Sequence, residues 1–178
     1  MVFEELNRET LFEGKVFDVE RVEARLPDGR TNQYELVKHR ESITVLPFDQ
    51  DGNAWFVRQY RLGAQKVLLE LPAGMVEINE TPEECAYREI REETGLAARD
   101  LKYLGQMYLA PGYCTELMYV YLATGLYADP LRADEDEFLQ TIAVPVEQIN
   151  DMVRKDEIND SKSLAALYLA QPYLTKTS

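Results

Sequence analysis

Cysteines, long apolar runs and a secretion signal are scarce or missing in this sequence. The 178 residues include two cysteines, Cys85 and Cys114, which are too few for a disulfide framework. No apolar run approaches the roughly 20 residues that a membrane-spanning helix needs. Residues 1–14 have neither the basic start nor the apolar centre of a signal peptide. We therefore expect a cytoplasmic protein without a membrane partner.

Basic residues are few relative to acidic ones. The chain has 19 Lys and Arg against 32 Asp and Glu, a formal net charge of −13. Such a chain repels nucleic acid and anionic membranes, so we expect neither as a partner. A phosphorylated substrate would need metal ions and a few well-placed arginines here. The length and the 46% hydrophobic content fit one globular domain with a proper core and a small appended subdomain.

Residues 82–94 read as a helix with a start signal and a stop signal. Thr81 can cap the first turn, Pro82 suits the first helical position, and Glu84 completes a T-x-x-E capping box. Gly95 fits the left-handed residue that ends a helix. The pattern predicts both boundaries of the helix.

Three glutamates of this helix share one face. Glu89, Glu92 and Glu93 stand at i, i+3 and i+4. A helical projection turns Glu89 and Glu93 toward the apolar side, next to Ile90, and places Arg88 on the opposite side with the solvated charges. An ordinary acidic surface helix explains this poorly, because each like-charge pair costs roughly 0.2–0.5 kcal/mol and burial adds to the cost. A hard divalent cation, Mg²⁺ or Mn²⁺, would neutralise the carboxylates.

The stretch from Gly74 to Leu96 resembles the Nudix box, G-x5-E-x7-R-E-U-x-E-E-x-G-U, where U is a bulky apolar residue. Its fixed positions are filled by Gly74, Glu80, Arg88, Glu89, Ile90, Glu92, Glu93, Gly95 and Leu96. The resemblance implies a Mg²⁺ site, with Mn²⁺ as an alternative, formed by the Ala73 backbone carbonyl, Glu89, Glu92 and Glu93. It makes Glu93 essential for catalysis and gives Arg88 and Glu80 a bracing role.

The rest of the chain predicts many short strands and few helices. The predicted strands cover 15–26, 30–37, 43–48, 54–60, 67–71, 101–109, 117–126 and 138–144. Two further helices are predicted over 145–156 and 161–173. Residues 1–10 read as a loose lead-in and 127–137 as an acidic loop. This pattern indicates an α/β (α+β) fold with a mixed sheet covered by helices, which agrees with the α/β/α sandwich that the Nudix resemblance implies.

The strand over 54–60 carries a motif that resembles the ADP-ribose pyrophosphatase branch of that family. VRQYR ends at Arg61 and is followed by LLELPAG. We expect Arg58 and Arg61 to project to the same side of the strand, where two guanidinium groups near a carboxylate-rich site would contact phosphate. The resemblance makes Arg61 a substrate contact and Arg58 its helper.

The segment APGYCTE carries a second mark of the same branch. Pro111 follows Gly95 by sixteen positions, and the phrase ends at Glu116. By resemblance both residues belong to the substrate site, with Glu116 near the ribose. In the acidic phrase ADEDEFL the resemblance makes Glu135 the general base that activates the attacking water, with Glu137 as the alternative.

The N-terminal hairpin, residues 12–38, crosses to a second subunit in the enzymes that the chain resembles. We therefore expect a homodimer with an N-terminal β subdomain, 1–40, and a Nudix hydrolase domain, 41–178. The sequence His39-Arg40-Glu41-Ser42 departs from the His-Pro-Gly usual in this branch. His39 is expected to be structural.

The function predicted from this resemblance is Mg²⁺-dependent hydrolysis of the diphosphate of ADP-ribose to AMP and ribose 5-phosphate. Two alternatives stay open. One is the same chemistry on another nucleoside diphosphate sugar or a dinucleotide, such as ADP-glucose or GDP-mannose. The other is a Nudix-fold sensor that binds such a ligand without cleaving it.

Overall fold

The computed structural model describes residues 2–132 and 138–174. Contacts divide the chain into two compact units. The first contains Met1–Glu41 and also Tyr108–Leu117, and the second contains Ser42–Met107 and Met118–Ser178. The predicted division at residue 40 left the segment 108–117 with the hydrolase domain.

The first unit is built on an antiparallel sheet of three strands. These are β1 (Glu4–Glu13), β2 (Phe17–Arg25) and β3 (Thr31–His39), in that order. The hairpin β2–β3 confirms the two predicted strands. The loose lead-in predicted for residues 1–10 was wrong, because β1 pairs along β2. Two irregularities in the β1–β2 register break the period-two alternation that sequence patterns rely on.

Among the described residues, the remaining strands form three sheets of the second unit, except that the end residues Tyr108 and Leu117 belong to the first unit. These strands are β4 (Ser42–Pro47), β5 (Asn53–Arg61), β6 (Lys66–Glu70), β7 (Ala73–Met75), β8 (Leu96–Ala97), β9 (Asp100–Tyr108), β10 (Leu117–Thr124), β11 (Tyr127–Ala128) and β12 (Gln140–Pro145). The sheet orders are β7-β4-β10-β9, β12-β5-β6 and β11-β8. The short pair β8–β11 places Tyr127–Ala128 in a strand, although the sequence predicted a loop there.

In the part of the chain that the structure describes, the second unit also contains three helices. They are α1 (Pro82–Thr94), α2 (Val146–Arg154) and α3 (Ser161–Ala170), and a 3₁₀ turn (Gln171–Tyr173) follows α3. The predicted helix over 82–94 is confirmed at both ends. Thr81 Oγ1 accepts from the Glu84 N–H at 3.2 Å, the Glu84 carboxylate accepts from the Thr81 N–H at 2.8 Å, and Gly95 has φ +73°. None of the helices among the described residues is long and apolar enough to cross a membrane.

The parallel strands β4 and β10 form the middle layer of this unit. Ile43 and Val45 of β4 pack with Ile90 of α1 in one buried cluster. Leu46 of β4 packs in a second cluster with residues of β5, α2 and α3, including Ile149. Helices therefore cover both sides of a mixed sheet, which is the predicted layered α/β arrangement.

Candidate active site

Helix α1 turns two of its glutamates into the protein. Glu89 is 8% and Glu93 is 6% exposed, beside the fully buried Cys85 and Ile90. The predicted inward face of the helix is therefore confirmed. Glu92 is partly buried on the neighbouring edge of that face. Since buried carboxylates are rarely found without compensating partners, these side chains need positive charge or hydrogen-bond donors close by.

Strand β7 packs against this face of the helix and accommodates the carboxylates. The Ala73 N–H donates to Glu93 Oε2 at 3.2 Å. A Cβ atom placed on Gly74 would lie 1.8 Å from Glu89 Oε1. The glycine of the box is therefore needed because the Glu89 carboxylate occupies the space of a side chain. The fold thus brings the Ala73 backbone, Glu89 and Glu93 together, and their role as metal ligands stays a prediction.

Arg88 joins the carboxylates into an ion network. Its Nη1 donates to Glu89 Oε1 at 2.6 Å and to Glu92 Oε2 at 2.9 Å. Its Nε and Nη2 bind the two oxygens of Glu80 at 2.8 and 2.9 Å. These hydrogen bonds lower the pKa of Glu80 below its ordinary value. The same guanidinium donates to the carbonyl of Met75, the last residue of β7, at 3.2 Å, so Arg88 ties α1 to the end of this strand.

The placement of Arg88 on the solvated side of α1 was wrong. Its side chain is only 24% exposed. Helical side chains lean toward the N-terminus, and a long arginine can fold back along the helix to Glu80. Four charge-assisted hydrogen bonds to carboxylates then outweigh hydration of the guanidinium.

The oxygen chemistry of this cluster fits a hard divalent cation. Three carboxylates and the backbone of Ala73 are the oxygen donors that Mg²⁺ and Mn²⁺ prefer. In residues 2–132 and 138–174, no three Asp, Glu, His or Cys side chains stand in the arrangement of a finished metal site. Arg88 holds Glu89 and Glu92 in the geometry found.

A second charge cluster lies at the end of β6. Glu70 is 2% exposed, and its carboxylate accepts from Arg61 Nε at 3.1 Å and from Arg61 Nη2 at 2.8 Å. Lys162 of α3 donates to the same carboxylate and to Asp160 at 2.9 Å. Burial alone would raise the pKa of Glu70, but the hydrogen bonds from Arg61 and the charge of Lys162 outweigh it and lower that pKa.

Glu70 and Lys162 were not predicted as site residues from the sequence. A charged residue inside the apolar run LLELP was a signal that Glu70 needs a partner. Its second partner lies 92 positions further along the chain, and no local pattern connects the two.

The prediction that Arg58 and Arg61 project to the same side was wrong. They are three positions apart, and β5 pairs with β6 without a bulge from Val57 to Arg61. Successive side chains of a strand alternate, so an odd spacing sends them to opposite faces. Arg58 is exposed, whereas Arg61 pairs with the buried Glu70.

Pro111 and Glu116 belong to the first unit. Pro111 is exposed in a turn closed by the Tyr113 N–H and the Ala110 carbonyl at 3.0 Å. Glu116 Oε1 lies 3.8 Å from His39 Nδ1. The His39 N–H donates to Thr115 Oγ1 at 2.9 Å. The substrate contacts expected of Pro111 and Glu116 stay predictions, and the candidate bases Glu135 and Glu137 lie outside the described residues.

The sequence of this chain matches a known protein family. A family model described as NUDIX domain matches residues 38–167. The chain belongs to the Nudix family. The matched range contains α1, its capping residues and both charge clusters. The residues of the Nudix box therefore lie within the matched domain.

Similar proteins match this Nudix chain over nearly its whole length. It is 34% identical to a Bacillus subtilis (strain 168) protein named ADP-ribose pyrophosphatase, over 92% of this chain and 90% of that one. It is 32% identical to a Bacillus methanolicus protein named methanol dehydrogenase activator, over 96% and 94%. A crystal structure described as an ADP compounds hydrolase covers 98% of this chain and 95% of its own, with TM-score 0.89 and 29% identity. This likeness confirms the Nudix-type fold with mixed sheets and an N-terminal antiparallel sheet.

Proposed function

We propose that this Nudix protein hydrolyses the diphosphate of ADP-ribose to AMP and ribose 5-phosphate with Mg²⁺. The observation that carries the proposal is the burial of Glu89 and Glu93 against β7, where Gly74 makes room for a carboxylate. The names of two of the similar proteins, an ADP-ribose pyrophosphatase and an ADP compounds hydrolase, support the substrate class. The choice of ADP-ribose within that class rests on the motifs around Arg61 and Pro111.

The residues that would hold the cation are the Ala73 carbonyl, Glu89, Glu92 and Glu93. Bound there, Mg²⁺ would neutralise negative charge on the diphosphate oxygens, including those of the phosphoryl group under attack. Arg88 keeps Glu89 and Glu92 in place from the side and, through Glu80, fixes the loop before α1. The protein thus supplies preorganised carboxylates at a fixed distance from the Ala73 backbone.

Arg61 is the residue that would bind the phosphates. Glu70 holds its Nε and Nη2, and its side chain remains 42% exposed. Within the described residues, its Nη1 donates no hydrogen bond, so this nitrogen can meet an anion. Arg58 projects from the opposite face of β5, and its role as a helper of Arg61 in phosphate binding stays a prediction. Glu135 would take the proton of the attacking water.

A substrate panel tests this function. We expect purified protein with Mg²⁺ to release AMP from ADP-ribose with a higher kcat/KM than from ADP-glucose or a dinucleotide, and to act poorly on GDP-mannose. Chelation with EDTA should abolish turnover. A preference for GDP-mannose would support the first alternative, and tight binding of ADP-ribose without AMP release would support a sensor.

Gly74→Ala should impair catalysis while the protein stays folded. The added methyl group must push the Glu89 carboxylate from its position, which costs only about 1–3 kcal/mol of unfolding free energy. Displacement of a site group by about 1 Å can cost about 100-fold in rate, so we expect kcat to fall by roughly 10- to 100-fold. Gly63→Ala is the matched control, because a Cβ at Gly63 meets nothing within 4 Å. Equal kcat for both variants would contradict this account of Gly74.

Two substitutions decide which carboxylate is the base. Glu135→Gln should lower kcat by roughly 100-fold or more at neutral pH, since general-base catalysis contributes about 10²–10⁴. Glu137→Gln is the control two residues away and should stay within about threefold of wild type. If Glu137→Gln is the damaging substitution, the assignment to Glu135 is wrong.

We also propose that the protein is a homodimer in which the N-terminal hairpin reaches the second subunit. All ten residues of β1 are exposed, including the large apolar side chains Leu6, Leu11 and Phe12. Exposed apolar side chains on an edge strand are a common site for pairing with another chain. Light scattering of the purified protein should give the mass of two chains, and a clean monomer would overturn the proposal.

A further inference from the structure

The first turn of α3 contacts the last residue of β6 and the residue after it, just before the proposed metal-binding segment. Lys162 donates to the Glu70 carboxylate, and Ser163 Oγ accepts from the Leu71 N–H at 2.8 Å. Glu70 and Leu71 precede Pro72 and Ala73 directly. One turn of helix therefore holds both a side chain and the backbone at the entrance to the site, across about 90 residues of sequence.

The contacts of this turn are buried and preorganised. Lys162 is 9% exposed, which is unusual for a lysine. Asp160 caps α3 by accepting from the Ser163 N–H at 3.0 Å and also accepts from Lys162. Lys162 is thus fixed between two carboxylates, and Glu70 is fixed between two cations.

We propose that Lys162 is a positioning residue for Arg61, acting through Glu70; this inference rests on the proposed function, in which Arg61 grips the diphosphate. Arg61, Lys162, Glu70 and Asp160 form a cluster with two positive and two negative charges. Lys162 shares Glu70 Oε2 with Arg61 Nη2 and thereby limits the positions that the guanidinium of Arg61 can take on this carboxylate. It also cancels a negative charge that would otherwise repel the substrate.

Loss of Lys162 changes both the charge and the geometry of the cluster. Lys162→Met leaves Glu70 with Arg61 as its one cationic partner among the described residues, and the cluster gains a net negative charge. Arg61 is then drawn toward Glu70, and the diphosphate is repelled. We expect KM for ADP-ribose to rise about 10-fold while kcat changes less than about threefold.

A double substitution separates positioning from mere structural support. Lys162→Met combined with Glu70→Gln returns the cluster to zero net charge and keeps an oxygen that can accept from Arg61. We expect the double variant to recover KM to within about threefold of wild type. If Lys162 were purely structural, the effects of the two substitutions on KM would add in the double variant. Lys155→Met, an exposed lysine just after α2, is the matched control and should leave KM unchanged.

A second readout needs no substrate. The Nε–H of Arg61 is hydrogen-bonded to Glu70 and should give a protected ¹⁵N–¹H resonance, assigned by its loss in Arg61→Lys. We expect Lys162→Met to shift this resonance and Lys155→Met to leave it in place. If Lys162→Met does not fold, Lys162→Gln carries the same expectation.

The outcomes distinguish this inference from the proposed function. A shifted Arg61 resonance with a raised KM supports the inference. A shifted resonance in a protein that cleaves no nucleoside diphosphate sugar supports the positioning of Arg61 and refutes the function. An unchanged resonance and an unchanged KM, with only a lower Tm, would show that Lys162 is structural and overturn the inference.

Discussion

Glu93→Gln is expected to lower kcat for ADP-ribose by at least about 100-fold while the protein stays folded. Glutamine keeps the shape of the side chain and an oxygen that can accept from the Ala73 N–H. It removes the charge that would hold Mg²⁺, and loss of one preorganised electrostatic group costs about 10²–10³ in kcat. Steady-state kinetics with saturating Mg²⁺, together with chemical denaturation, measure both effects.

The matched control for Glu93→Gln is Glu83→Gln on the same helix. Glu83 is exposed in the first turn of α1, away from the buried face. This variant should keep wild-type turnover. Turnover of Glu93→Gln close to wild type would refute its assignment as a metal ligand.

Arg88→Met is expected to lower the stability of the folded protein. It leaves Glu80, Glu89 and Glu92 without the guanidinium that joins them. Removing this shared cation from partly buried carboxylates should cost roughly 2–4 kcal/mol of unfolding free energy in EDTA. If Glu89 and Glu92 are metal ligands, Mg²⁺ can bind the same carboxylates and stabilise the folded state. The loss measured by urea denaturation should therefore be smaller with Mg²⁺ than with EDTA.

Arg91→Met on the same helix is the control for Arg88→Met. Arg91 pairs with one carboxylate, that of Asp129, whose side chain is 46% exposed, at 3.0 Å. Exposed pairs contribute about 0–1 kcal/mol, so this variant should lose little stability with or without Mg²⁺. A loss below 1 kcal/mol for Arg88→Met would contradict the network, and equal losses in Mg²⁺ and EDTA would contradict its link to a metal.

Helix α1 is the part of the site that could be predicted from the sequence. Its cap, its stop glycine and its inward carboxylates depend on residues no more than one or two turns apart. Helical periodicity and capping chemistry act over that distance, so the sequence predicted the boundaries and the buried face correctly. Alternation along a strand is equally local, and the three-residue spacing of Arg58 and Arg61 already placed them on opposite faces.

The Glu70–Lys162 pair shows what local patterns leave out. The two residues meet because α3 packs on the sheet that contains β4, and the sequence signals only that each charge needs a partner. Strand β1 was missed for a related reason. Its ten residues are all exposed and are held by pairing with β2 and by ion pairs such as Arg25–Glu4 at 2.6 Å, not by an alternating apolar face.

Anomalous diffraction from crystals of the wild-type protein soaked in Mn²⁺ tests the central claim most directly. The claim is that the inward face of α1 binds a divalent cation. It predicts a manganese peak within about 2.5 Å of carboxylate oxygens from at least two of Glu89, Glu92 and Glu93, and no such peak in Glu93→Gln. An ordered α1 with its carboxylates in solvent and no manganese beside residues 89–93 would contradict it.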